Sequence, residues 1–436
     1  MLGYYFDLAL RSFRRNKVLT ALMVLAIALG IGASMTTLTV FHVLSGDPLP
    51  GKSDRVFYPQ MDPRSMSGYS EGEDPEFQMT RFDAEALLRD GRGKHQALMT
   101  AGAVAVEPQR SGLDPFLAGA RFTSADFFPM FEAPMLHGTP WTAAEDESRD
   151  RVAVISTELN ERLFDGANSV GRTLRLDQND FRIVGVLDRW RPTPRFYDVT
   201  ASRFGEVEQV FLPFSTSRDL DLGTSGSMNC WGNSSGDPEG QRGVNAPCTW
   251  LQYWVELDSA GDAGEYLRYL SNYSDQQREA GRFERPTNVR LHDVMGWLDE
   301  NQIVPSDVRL QTWLALGFLL VCLVNTVGLL LAKFLRRSSE IGVRRALGAS
   351  RRAIFAQCLV EAGTVGLAGG VLGLGLALLG LWAVRQQPVG YASLAHLDAT
   401  MLVTTFVLAI AASLVAGLLP AWRACQVAPA IQLKSQ

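Results

Sequence analysis

The chain has 436 residues, 47% hydrophobic and 20% charged, with 41 Lys+Arg against 46 Asp+Glu and 5 Cys. A net charge of −5 argues against nucleic-acid binding, which needs a basic face, and five cysteines are too few for a disulfide-built scaffold. The mean hydropathy of +0.02 averages two unlike compositions, so the chain is read in pieces.

Four apolar runs, 18–43, 313–335, 359–384 and 401–419, each hold about 20 residues or more, enough to cross a ~30 Å hydrocarbon core at ~1.5 Å per residue. All acidic residues except Asp7, Glu340, Glu361 and Asp398 fall in residues 45–311. That stretch carries about −15, while Lys and Arg gather at the span ends: Arg11, Arg14, Arg15 and Lys17, then Arg336 and Arg337, Arg351 and Arg352, Arg423 and Lys434. The positive-inside rule then places both termini and residues 336–352 in the cytosol, and residues 45–311 outside. The first run exceeds a signal core of about 7–15 apolar residues and has no Ala-x-Ala site, so it reads as an uncleaved span.

In chain order, residues 1–17 read as an amphipathic helix lying on the inner surface, with Phe6, Ala9, Leu10 and Phe13 on one face and Asp7, Arg11 and Arg14 on another. The first span covers 18–44. Residues 46–53, Gly-Asp-Pro-Leu-Pro-Gly-Lys-Ser, satisfy the Walker A expression literally. A phosphate loop, however, needs a strand before it, a helix after it and free backbone N–H groups, and Pro48 and Pro50 delete two donors. The match is a coincidence.

Residues 45–311 form an outer domain. Residues 151–156, 173–177 and 181–187 read as strands, 157–164 as a helix, and 124–129 as a capped turn, with Gly166 and Gly171 as punctuation. The result is an α+β module. The flanks 55–110 and 195–290 would build a second subdomain. Residues 291–310 read as helical apart from a break at Pro305, and with the overhang of the first span would form a two-helix stalk. Cys230 and Cys248 bracket a loop rich in Gly, Ser, Asn and Pro, where an oxidising compartment permits a disulfide. His42, His95, His137, His292 and His396 are scattered, and neither His-Glu-x-x-His nor Gly-x-Ser-x-Gly occurs. The domain therefore reads as a binding or transmission module with no metal site, not as an enzyme.

The second span, 312–335, carries Asn325, suited to a hydrogen bond between helices. In the cytosolic segment 336–352, residues 340–347 give about two helical turns closed by Gly348. Ile341, Ala346 and Leu347 are apolar there, and Glu340, Arg344 and Arg345 charged. A simple membrane anchor needs no capped helix of defined length; a charged short helix suits docking into a partner's groove. The third span, 353–384, has two Gly-x-x-x-Gly pairs, Gly366/Gly370 and Gly369/Gly373, which allow close helix approach. Glu361, costly in a membrane if bare, is expected to pair with a basic residue of 344–352. An outer loop (385–399), the fourth span (400–422) and a cytosolic tail (423–436) complete the chain. The fold class is thus membrane α-helical, four transmembrane helices with a large α+β extracytoplasmic domain inserted between helices 1 and 2.

Several motifs together resemble the MacB/FtsX-type permeases of bacterial ABC systems. They are Glu340-Ile-Gly-Val-Arg-Arg-Ala-Leu-Gly-Ala, Leu359-Val-Glu-Ala, Leu367-Ala-Gly-Gly-Val-Leu-Gly, Ala416-Gly-Leu-Leu-Pro-Ala-Trp-Arg-Ala and Val427-Ala-Pro-Ala-Ile-Gln-Leu. In the outer domain, Phe122-Thr-Ser-Ala-Asp-Phe-Phe, Val152-Ala-Val-Ile-Ser, Leu163-Phe-Asp-Gly, Val170-Gly-Arg-Thr-Leu and Val184-Gly-Val-Leu are similar to the family's periplasmic core. The Cys230–Cys248 loop departs from it.

The resemblance implies a multi-pass protein of the bacterial inner membrane that dimerises through its first two spans with an identical or sibling protomer. It also implies ATP-driven motion passed from cytosol to periplasm to power efflux, with a periplasmic adaptor as a further partner. Glu340, Gly342, Arg344, Arg345 and Gly348 would lie on the helix that meets the ATPase. The macrolide exporters fuse their ATPase to the permease; here no credible Walker A and no Leu-Ser-Gly-Gly-Gln signature occurs. The expectation is a non-catalytic subunit binding no cofactor itself, with ATP and Mg held by a separate cytosolic ABC ATPase dimer. Alternatives within the same fold are lipoprotein release or a receptor or regulator of a periplasmic process.

Overall fold

A computed structural model describes Leu8, Phe13 and residues 17–109, 112–201, 203–388 and 390–426. Apart from Leu8 and Phe13, the amphipathic helix expected before Lys17 lies outside the described residues, as does the end of the cytosolic tail. The chain divides into two compact units, Gly46–Ile303, and Met1–Ser45 with Val304–Gln436.

After α1 (Lys17–Ser45), the inserted unit opens with β1 (Val56–Gln60), β2 (Met79–Thr80), α2 (Arg81–Asp90), β3 (His95–Glu107) and β4 (Phe116–Thr123). It continues through α3 (Phe127–Met130), β5 (Met135–Gly138), α4 (Ala143–Glu147), β6 (Val152–Ser156), α5 (Thr157–Phe164), β7 (Thr173–Leu176) and β8 (Asn179–Leu187). Then come β9 (Val210–Pro213), α6 (Phe214–Asp219), β10 (Thr224–Ser225), β11 (Asn229–Cys230) and β12 (Cys248–Glu256). The unit closes with α7 (Ala263–Glu279), β13 (Arg290–Asp293) and α8 (Val294–Glu300).

Its strands form one sheet along the path β13-β1-β12-β3-β4-β9-β6-β8-β5. The sheet is mixed: β4–β9 and β6–β8 pair in parallel, their neighbours antiparallel. Side chains alternate across it with the period of two that a pleated strand imposes. Val56, Tyr58, Ala97, Met99, Val154 and Trp254 enter one core, closed by α3 and α8. Phe57, Leu98, Ile155, Tyr253 and Val255 enter the other, closed by α2, α5 and α7. Tyr58 stacks on Trp297 of α8 at 3.9 Å between ring centroids, a pairing that adds about 0.5–1.5 kcal/mol to simple burial.

Helix α5 starts where Ser156 accepts a hydrogen bond from the Leu159 N–H and runs over the residues expected. The flanks that suggested a second subdomain instead supply β1, β3, β12 and β13 to the same continuous sheet. Residues 291–293, expected to be helical, are strand. β13 pairs antiparallel with β1, Leu291 opposite Pro59 and His292 opposite Tyr58. Asp293 then caps α8 by accepting from Gly296 N, so the helical spacing begins only at Val294.

The other unit holds the long helices α1, α9 (Ser306–Arg336), α11 (Arg351–Arg385) and α12 (Ala399–Cys425), each long and apolar enough to cross a membrane. The short α10 (Ser338–Ala346) joins α9 to α11. Half of the α1 span is buried against 22–33% for the others, so the remaining helices gather around α1. Its stripe Met23, Ile27, Ile31 and Met35 packs with Leu319, Val365 and Ala409.

The glycine pairs of α11 serve two different neighbours. A Cβ at Gly366 would sit 2.0 Å from Ser413 Oγ and one at Gly370 2.9 Å from Ala409 Cβ, both on α12. At Gly369 and Gly373 it would meet Ile27 at 2.6 Å and Ile31 at 3.0 Å on α1. Offsetting the second pair by three residues turns it toward a different neighbour, so one helix is clamped on two sides.

Candidate functional site

Helix α10 is short because its ends are fixed. Glu340 lies in its first turn and Arg344 and Arg345 in its last, each sign at the end of the helix dipole that favours it. Gly348 follows with φ +98°, a left-handed conformation that ends a helix cheaply only at glycine. Ser350 then caps α11 by accepting from Ala353 N, so the chain turns between two helices within a few residues.

The charges on α10 are engaged within their own unit. Arg344 lies 2.8 Å from Glu340 and donates to Gln357 at 3.1 Å; Arg345 donates to the Cys425 carbonyl at 3.3 Å. Arg337 bridges Glu340 at 3.4 Å and Glu361 at 3.2 Å. Glu361 also meets Lys333 at 2.6 Å, with both side chains nearly wholly buried, and Lys333 donates to Thr20 of α1 at 3.4 Å. Glu361 therefore pairs with Lys333 and Arg337 at the end of α9, not with a basic residue of 344–352 as its charge neighbourhood suggested. Lys333 and Arg337 stand one turn apart on a single face, and that face meets α11 at Glu361.

The exposed side of α10 is different. Ser339, Val343, Ala346 and Leu347 are exposed, Val343 at 53% and Leu347 at 84%, while Gly342 is buried. Positions 339, 343, 346 and 347 follow the i, i+4, i+7, i+8 rule of one helical face. The outward surface is thus a small apolar ridge, with the expected grip residues Glu340, Arg344 and Arg345 turned to intramolecular partners. Val343 carried the missing signal: sorting 339–347 by helical angle, not by residue type, separates the two faces.

Further expectations meet the structure here. Asn325 of α9 is exposed and forms no interhelical hydrogen bond among the described residues. The Walker-like stretch has a helix before it and β1 after it, the reverse of a phosphate loop. Lys52 is committed to the Pro129 carbonyl at 2.9 Å and to the fully buried Glu256 at 3.2 Å. Cys230 and Cys248 are joined in a disulfide that ties β11 to β12, and no cluster of metal-ligating side chains occurs among the described residues.

Residues 20–268 match the MacB-like periplasmic core domain and residues 313–429 the FtsX-like permease C-terminal domain. The chain belongs to the MacB/FtsX-type ABC permeases. It is similar to the pyoverdine export ATP-binding/permease protein PvdT of Pseudomonas fluorescens, 24% identical over 97% of this chain and 58% of that protein. It is also similar to the macrolide export ATP-binding/permease protein MacB of an Azoarcus species, 26% identical over 70% of this chain and 40% of that protein. The chain spans about half the length of these relatives. The periplasmic region of MacB from Actinobacillus actinomycetemcomitans aligns with 56% of this chain and 92% of its own at 12% identity, with a TM-score of 0.36, too loose a superposition to add to the domain matches. Within this MacB/FtsX-type permease, the FtsX-like match takes in α10, its partners Arg337 and Gln357, and the Lys333–Glu361 pair behind them.

Proposed function

We propose that this permease passes the stroke of a cytosolic ABC ATPase dimer to its periplasmic domain and so drives efflux, without itself catalysing a reaction. ATP and Mg are held by the ATPase, in a separate chain; α10 and both termini face the cytosol. The observation that carries this reading is the two-sidedness of α10. Val343 and Leu347 present an apolar ridge outward, while Glu340 is tied to Arg337 at the end of α9 at 3.4 Å and Arg344 to Gln357 of α11 at 3.1 Å, with Arg337 and Lys333 in turn paired to Glu361 of α11. An ATPase groove that takes the ridge displaces α10, and the ion pairs deliver that displacement to the spans. α9 begins just after the inserted unit ends at Ile303, so a tilt of α9 reaches that unit through a few residues of chain.

Two observations support a second permease protomer. Asn325 is a polar side chain exposed on a spanning helix, which hydrocarbon disfavours, and Trp313, Val321 and Val324 of α9 with Leu22, Leu25 and Leu29 of α1 are also exposed. Export as the task is favoured by the relatives, whose names state pyoverdine and macrolide export; a periplasmic adaptor would carry the cargo onward. The test is purification of the tagged chain from native membranes. An ABC ATPase together with a periplasmic adaptor supports export; an ATPase with a lipoprotein chaperone redirects the reading to lipoprotein release; absence of any ATPase overturns both.

A further inference from the structure

The inserted unit contains an open cavity of about 740 Å3. Helices α2, α4 and α6 wall it, and the disulfide-closed loop between β11 and β12 reaches it through Glu239. Leu88, Leu98 and Phe214 give it an apolar side. The charged lining is five carboxylates against four arginines, so the ligand it suits depends on which of them are already matched.

Most are matched to one another. Arg81 lies 2.7 Å from Glu85 and 2.6 Å from Glu239, Arg89 lies 3.8 Å from Glu85, and Arg149 lies 2.8 Å from Asp219. Arg218 is engaged elsewhere. It donates to the Leu222 carbonyl and its guanidinium lies 5.7 Å from the ring of Trp250, and neither of those residues lines the cavity. What remains is negative and sits on α4. The Asp146 carboxylate accepts only from Ala125 N at 2.7 Å and Trp141 Nε1 at 2.9 Å, one on each oxygen, so each oxygen keeps a lone pair. Glu147 beside it is exposed and enters no salt bridge among the described residues. The charges that act on Asp146 repel it: Asp126 ahead of α3, and Glu145, itself 3.3 Å from Arg182 of β8. Burial and these neighbours lift its carboxyl to about 7, the behaviour of a carboxylate that no cation attends.

We propose that this cavity binds an amphipathic organic cation, its ammonium or guanidinium head at Asp146 and Glu147 and its apolar body against Leu88, Leu98 and Phe214. An ammonium carries three donors, enough to serve both carboxylates, and a bond between two charged groups is stronger than a neutral one. The bound cation holds Asp146 ionised, so binding releases a proton and weakens as pH falls through about 7. The site does not depend on the export reading.

The test uses the full chain in nanodiscs, without any ATPase, titrated calorimetrically at about pH 8 and about pH 6. The probes are phenethylamine, N-acetyl-Phe-Arg amide, the neutral phenethyl alcohol and the anion phenylacetate. At the higher pH at least one cation is expected to bind tenfold or more tightly than the alcohol, and which one does separates a small amine from a basic peptide. Its affinity should fall about tenfold at the lower pH. Asp146→Asn is expected to weaken binding about tenfold at the higher pH and to remove the pH dependence. Glu147→Gln, on the surface, and Leu88→Trp, which fills the apolar side, should each weaken it several-fold with the melting temperature retained. No binding of either cation at millimolar concentration, affinity no higher than that of the alcohol or below that of phenylacetate, or undiminished binding in both Asp146→Asn and Glu147→Gln overturns the proposal.

Discussion

Lys333 Nζ lies 2.6 Å from a carboxylate oxygen of Glu361, joining the last turn of α9 to α11 with 0% and 4% of the two side chains exposed. Such a pair is weak evidence of net stability, because desolvation of both charges offsets their attraction, but removing one partner strands the other and costs about 3–5 kcal/mol. Glu361→Ala is therefore expected to lower the stability of the membrane unit by that amount in thermal unfolding. Lys333→Met with Glu361→Leu should recover wild-type stability or better while the proposed export stays impaired, since Arg337 loses its tie to α11. Equal stability of the single and double variants contradicts this role.

The glycines of α11 offer an internally controlled experiment. Gly366→Ala places a methyl 2.0 Å from Ser413 Oγ and Gly369→Ala one 2.6 Å from Ile27, whereas at Gly375 nothing lies within 4 Å. Overpacking costs about 1–3 kcal/mol, and glycine in an open helix position is roughly 1 kcal/mol worse than alanine. Gly366→Ala and Gly369→Ala should destabilise and Gly375→Ala should not, read as melting temperatures in one bilayer mimic.

Asp146 in α4 gives the periplasmic domain a pH dependence. Burial lifts its carboxyl to about 7, against hydrogen bonds donated by Ala125 N and Trp141 Nε1 and with Asp126 and Glu145 adding repulsion. Its unfolded value is about 3.9, so between about pH 4 and 7 the folded form binds more protons. The contribution of this group is full below about pH 4 and is lost as pH rises to about 7. Asp146→Asn should flatten the fall in stability across that window, measured as the difference between variant and wild-type denaturation curves.

The Cys230–Cys248 bond closes a loop with a sequence separation of 18, for which the chain-entropy estimate is about 3 kcal/mol. Cys230→Ser with Cys248→Ser is expected to lower domain stability by about that amount, and reductant should reproduce the loss only in the wild type. Hydrogen exchange should rise first in residues 231–247, whose hold on α2 is reduced to Arg81.

The spans and the β6–α5 region were legible because each rests on local pattern: long apolar runs, a capping serine, alternation along a strand. The 291–293 strand was not, since its pairing with β1 joins residues more than 200 positions apart and its apolar spacing suits a helix equally well. The two-neighbour use of Gly366/Gly370 and Gly369/Gly373 needed knowledge of which helices lie on each side. Charge composition announced a special segment at 340–348, but not that Glu340, Arg344 and Arg345 bond to partners within the chain. Partners such as Lys333, in an ion pair with Glu361, and Gln357, accepting a hydrogen bond from Arg344, lie on other helices, and only packing assigns them.

The ridge on α10 is where the account is most exposed to test. A photo-crosslinking residue at Leu347, in cells and in isolated inner membranes, should yield an adduct with an ABC ATPase whose amount changes on addition of ATP. Leu347→Asp, at a site too exposed to affect folding by more than about 0.5 kcal/mol, should abolish co-purification of that ATPase. No ATPase adduct from position 347, together with labelling of a cysteine there by an impermeant reagent on spheroplasts, contradicts the account.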